Sequence, residues 1–171
     1  MADCVFCAIA QGKMQSFKVF EDDAVVAFLD INPANKGQVI LTTKKHVQGI
    51  HELSPGEVGG LFSAARLVLI GMSQVLGCGG ANITYALGEL AGQRTEHLIV
   101  YIIPRFEGDK VVIDWERKQG NPQELKGVAE TLSKAIKAIP AVVTAPKPVI
   151  IEEKKGADEE VIEAEPRVPL Y

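Results

Sequence analysis

At 171 residues the chain has the length of one globular domain with at most a short appendage, and its 47% hydrophobic and 23% charged content excludes a disordered chain or a fibre. Eighteen basic against 22 acidic side chains give a net charge of −4, which argues against bulk attraction to nucleic-acid phosphates or anionic lipid. No uninterrupted apolar run approaches a bilayer span, so no membrane insertion is expected.

The opening residues Met1, Ala2, Asp3 and Cys4 lack the basic and apolar regions of a secretory signal, and the expected location is cytoplasmic. Cys4 and Cys7 form a C-x-x-C and Cys78 stands alone, a count that suits a metal or redox pair better than a disulfide framework. Short β-branched and aromatic runs at 17–21, 24–29 and 38–42 predict strands, with Asp22 and Asp23 at a hairpin turn between the first two. Ser54, Pro55 and Glu57 then supply an N-cap, a proline at the first helical position and a capping-box acid. Behind them Val58, Leu61, Phe62, Ala65, Val68, Leu69, Met72, Val75 and Leu76 recur at three-and-four spacing, which predicts a long helix with one buried face. Gly77, Gly79 and Gly80 end it.

Further strands are predicted at 82–87, 97–103 and 111–115. A second helix is capped by Asn121, carries the stripe Leu125, Val128, Ala129, Leu132, Ala135, Ile136 and Ile139, and stops at Pro140. The order reads as α+β, a mainly antiparallel sheet with one long central helix and a C-terminal helix, in a domain spanning 1–139. The remaining segment, 140–171, holds five of the nine prolines and 7 acidic against 4 basic residues. It reads as an extended tail, either a solvated acidic appendage or a docking segment for a protein partner, ending in the P-x-x-P of Pro166 to Pro169 with Leu170 and Tyr171 behind it.

Four local sequences carry a family resemblance. They are Cys4-Val5-Phe6-Cys7-Ala8-Ile9, Phe28-Leu29-Asp30-Ile31-Asn32-Pro33, Lys44-Lys45-His46, and Ala91-Gly92-Gln93 leading to His97 and Ile102-Ile103-Pro104-Arg105. Together, in order and spacing over 1–139, they resemble the histidine triad (HIT) family. The resemblance implies a small α+β nucleotide-binding fold, a homodimer, and nucleotide hydrolysis or transfer through a covalent nucleotidyl-histidine. Its signature is three histidines at alternate strand positions, the middle one the nucleophile. This chain has His97, Ile99 and Tyr101 there.

An isoleucine has no lone pair to attack phosphorus, so the family's covalent route is closed and no catalytic residue is expected at Ile99. Tyr101 is either a hydroxyl donor in the pocket or packing. Gln38 stands where the family commonly has a histidine, and Ala86 where it has a phosphate-contacting asparagine. The resemblance leaves Asp30, Asn82, Gln93 and Arg94 as nucleotide-binding candidates, Asp30 either binding ribose or merely starting the turn at Asn32-Pro33. It also implies a structural zinc site, because Cys4, Cys7, His46 and His97 match the Cys2His2 set of zinc-carrying members. The expected function is a catalytically inactive, zinc-stabilised module that binds a purine nucleotide or a protein. The alternative is a hydrolase or transferase of AMP-type nucleotide derivatives with altered residues.

Overall fold

A computed structural model describes residues 4–139, and the expected tail at 140–171 lies outside the described residues. Five strands, β1 (Lys18–Glu21), β2 (Val25–Leu29), β3 (Val39–Thr43), β4 (Gly80–Tyr85) and β5 (Ile99–Arg105), form one antiparallel sheet ordered β1-β2-β3-β5-β4. Three helices accompany it: α1 (Val5–Ala10), α2 (Pro55–Leu76) and α3 (Pro122–Ala138). The α+β architecture expected from the order of patterns is the one observed.

Strand alternation gives the sheet two working faces. On one, Val25, Ala27, Val39, Leu41, Val100 and Ile102 pack against Leu61, Ala64, Ala65, Val68 and Met72 of α2. On the other, Val26, Phe28, Ile40 and Ile99 pack with Ile9 and Phe6 of α1. The β1–β2 hairpin turns where Asp22 accepts the backbone N–H groups of Ala24 and Val25, both at 2.8 Å. Helix α2 opens on the expected capping box: Ser54 Oγ accepts from the Glu57 amide at 3.3 Å, and Glu57 accepts from the Ser54 amide at 2.7 Å. It closes on Gly77, whose φ of +64° suits glycine.

Among the described residues α2 alone has the length and apolarity of a membrane span, yet one of its faces is core to the sheet. Phe62 and Ile70 of α2 are exposed, and Leu67 and Val75 are exposed along an apolar groove against Val19, Phe20 and Leu29. Helix α3 begins at its predicted Asn121 cap, where Asn121 Oδ1 accepts the Gln123 amide at 2.9 Å. No residue of α3 is buried, so its apolar stripe faces outward from this chain.

Four features differ from the sequence expectation. The strand expected at 82–87 runs Gly80–Tyr85, because its pairing with β5 extends to Gly80 opposite Arg105. The strand at 111–115 does not form: Val112 and Trp115 are 82% and 74% exposed, and β-branched residues gain little as a strand without a face to cover. The strand expected to start at His97 starts at Ile99, because His97 sits in a bend, with Leu98 donating to the Val47 carbonyl at 2.7 Å. The short α1 carries no predicted pattern, since six residues are too few to show a helical period.

Candidate metal and ligand site

Cys4 caps α1 and Cys7 lies inside it, so their spacing of three brings both sulfurs to one side of a single turn. His46 follows β3 and His97 precedes β5; these strands pair with Thr42 opposite Ile99, which places the two histidines side by side. Their rings meet edge to face at 5.0 Å between centroids. Cys4 Sγ lies 3.3 Å from His97 Nδ1, Cys7 Sγ 3.2 Å from His46 Nδ1 and 3.5 Å from His97 Nδ1. All four ligand atoms fall within 4.8 Å of one another, close enough to hold a metal ion. For comparison, Zn–S and Zn–N bonds of ordinary length at tetrahedral angles put S and N about 3.5 Å apart.

His97 is fully buried, and its Nε2 donates to the Thr43 carbonyl at 2.9 Å. That bond fixes the tautomer and leaves the Nδ1 lone pair facing the sulfurs, the outer-shell arrangement that metal-binding histidines commonly use. Burial pushes the His97 pKa down, with the Thr43 carbonyl opposing, so the ring is held neutral as a ligand must be. Burial and the neighbouring Cys4 thiol push the Cys7 thiol up, so a cation has to supply the stabilisation of the thiolate.

Beside this cluster, on the same face of the sheet, lie two cavities. The larger, about 430 Å³, is walled by Phe6, Ile9, Phe17, Phe28 and Ile40, with Asp30 on its wall. The smaller, about 250 Å³, is lined by Ala86, Gly92, Gln93, Arg94, His97 and Ile99. Tyr101 belongs to both, standing where they adjoin. Burial raises its phenol above the ordinary tyrosine value, Asp30 adds to this and Arg94 opposes it. The hydroxyl therefore stays protonated at neutral pH and is a donor rather than a nucleophile. Ile99, 8% exposed, presents hydrocarbon to the smaller cavity.

The predicted ligand-binding residues divide. Asp30 lines the larger cavity; its Oδ1 accepts the Asn32 amide at 2.8 Å and its Oδ2 the Gln38 side-chain amide at 2.7 Å. Arg94 is exposed and lines the smaller cavity. Gln93 lines it too, but its carboxamide closes the neighbouring loop, accepting from the Gly88 amide at 2.7 Å and donating to the Gln48 carbonyl at 2.9 Å. Asn82 lines neither cavity. It lies opposite Ile103 on β4 and accepts from Arg105 at 2.6 Å. Arg105 in turn holds Asp109 through two contacts of 2.7 Å, while Asn35 Nδ2 reaches Asp109 at 2.8 Å.

Sequence reasoning missed the walls. Phe6 and Phe17 sit in short runs without period, and only the paired strands show that they meet Phe28 and Ile40. Gln38 was visible as a substitution, but its partner Asp30 was not.

The HIT domain family profile matches residues 11–108, more than half of the chain, and the chain belongs to that family. An uncharacterized HIT-like protein of Methanocaldococcus jannaschii is 38% identical over 110 residues, 64% of this chain and 84% of its own length. The adenosine 5′-monophosphoramidase hnt1 of Schizosaccharomyces pombe is 30% identical over 135 residues, covering 78% and 98%. Among solved structures, SMU.412c of Streptococcus mutans superposes with a TM-score of 0.76 at 34% identity, covering 80% of this chain and 87% of that one. A Zn-bound histidine triad family protein of Mycobacterium smegmatis gives a TM-score of 0.61 at 27% identity, covering 78% and 97%.

Proposed function

We infer that the protein is a zinc-stabilised HIT-family module that binds a purine nucleotide or nucleoside without forming a covalent nucleotidyl intermediate. The observation that carries this is Ile99: a buried hydrocarbon side chain stands at the edge of a cavity whose one full cation, among the described residues, is the Arg94 guanidinium. An aromatic-walled cavity with a carboxylate on its wall suits a base and its sugar, and the adjoining smaller cavity with Arg94 suits an anionic end. Cys4, Cys7, His46 and His97 would hold zinc as a closed set of four, which leaves no open position for a reacting water. The ion's contribution is then to the fold.

The test is calorimetry with adenosine, AMP, ADP and GTP on metal-quantified full-length protein, with chromatography of the same samples. Binding without product is the expected result. Turnover of a phosphoramidate or another AMP derivative, lost on Arg94→Ala or Tyr101→Phe, would instead support the hydrolase or transferase reading that the S. pombe relative suggests.

A second copy of this chain is the partner this reading includes. Among the described residues Phe62 and Ile70 of α2 and the apolar stripe of α3 are left uncovered, which supports burial against a second copy.

A further inference from the structure

Gln38 is 5% exposed, a carboxamide buried at the start of β3 on the face that carries the cavities. Burying an amide costs free energy unless its groups are paired, so each partner it keeps marks a constraint. Its Oε1 accepts the Ala34 amide at 2.9 Å, and its Nε2 donates to Asp30 Oδ2 at 2.7 Å. The backbone repeats the link, since the Asp30 amide donates to the Gln38 carbonyl at 3.0 Å. The turn between them has its own ties: Asn32 to Asp30 Oδ1, Ala34 to Gln38 Oε1, and the Gln38 amide to the Asn35 carbonyl at 3.0 Å. Closing that turn does not require Gln38 Nε2 on the second Asp30 oxygen.

What that contact does is fix the carboxylate. The terminal torsion of an aspartate is broad, and a carboxylate offers about four lone-pair positions over its two oxygens. Here one position on each oxygen is taken by a fixed donor, so rotation is blocked and one acceptor position remains on each. Two acceptors held side by side on the wall of an aromatic-lined cavity match two neighbouring hydroxyl donors on one ligand.

We propose that Gln38 is a positioning residue that locks Asp30 as a two-point acceptor for a vicinal diol, so that the larger cavity selects ligands joining a planar ring to such a diol. This rests on the nucleoside reading above and adds to it the residue that sets the discrimination.

The test compares adenosine with 2′,3′-dideoxyadenosine by calorimetry on the full-length protein, with thermal melting alongside. Wild type prefers the diol. Gln38→Leu lowers adenosine affinity about tenfold and leaves the dideoxy ligand unchanged, the loss expected for weakening a hydrogen bond to a charged acceptor. Gln38→His, which restores an N–H donor, regains part of the preference. Where Gln38→Leu does not fold, Gln38→Met removes the donor in a similar shape and loses the preference as well. If wild type prefers the diol and Asp30→Asn loses that preference while neither Gln38→Leu nor Gln38→Met does, the positioning role is wrong and the nucleoside reading stands. Equal weakening of both ligands by Gln38→Leu makes Gln38 merely structural and overturns the proposal. If wild type binds neither ligand, the nucleoside reading and the positioning role fall together.

Discussion

Single side chains decide the chemistry of this site. The proposed function turns on Ile99 and Tyr101: an isoleucine has no lone pair to attack phosphorus, and burial keeps the Tyr101 phenol protonated beside it. Incubation with AMP derivatives followed by intact-mass measurement is therefore expected to show no nucleotidyl adduct. The metal cluster makes a second prediction at this scale: His46→Ala, or Cys4→Ser with Cys7→Ser, lowers bound zinc from one per chain toward zero by elemental analysis.

Arg105 and Asp109 make a third. The Arg105 guanidinium, with the Phe106 amide behind it, holds the Asp109 carboxyl far below the ordinary carboxylate range. A folded pKa below the unfolded one means that the stabilisation is complete above the unfolded value of ~3.9 and drains away as pH falls through the folded value. In urea melts, Asp109→Asn is expected to lower the midpoint at pH 7 and to narrow the gap to wild type only in strong acid.

Helices and strands show how far a sequence reading reaches. The ends of α2 were legible because Ser54, Glu57 and Gly77 act on their immediate neighbours, and all three do what their chemistry predicts. The strands at 18–21 and 25–29 were legible because β-branched residues flank an Asp-Asp turn that supplies its own hydrogen bonds. The run at 111–115 has the same composition but no sheet edge or core face to complete it, and such partners are not encoded locally. The metal set was legible by resemblance, whereas the Gln38–Asp30 contact depends on β2 pairing with β3 across a turn.

Helix α3 poses the same question in reverse, for its periodic stripe is buried by none of the described residues. Leu125, Val128, Leu132, Ile136 and Ile139 are 56–66% exposed, which is costly for a helix unless something covers it. Leu132→Asp is expected to shift the protein from dimer to monomer in light scattering behind size exclusion. The helix should keep its Asn121 cap. An unchanged dimer would assign the association to α2 alone, and a monomeric wild type would reject the second copy as the cover.

At the scale of the whole molecule, the described residues form a single sheet clad on both faces, by the 22-residue α2 on one and the six-residue α1 on the other. The α2 side has a full core of aliphatic residues, and the α1 side relies on Ile9, Phe6 and the four residues able to hold a metal. Removing metal with a chelator should thus lower the thermal midpoint and expose Phe6 and Phe28 without dissolving the α2 core. The loss should fall short of the ~10 to 16 kcal/mol that zinc contributes in minimal peptides, because this domain has an apolar core of its own. Calorimetry with and without chelator, at equal protein concentration, measures it.

The metal ligands are also far apart along the chain: Cys4 and His97 are separated by 93 positions, and Cys7 and His46 by 39. On a ribosome, α1 and the hairpin of β1 and β2 emerge long before β5, so the fourth ligand arrives only when more than half of the chain has been made. Until then the two thiols and His46 form an incomplete set, able to grip a cation loosely but not to seal it. An ion held by all four would thus enter late, as a clasp closed over a sheet whose last inner strand has just arrived.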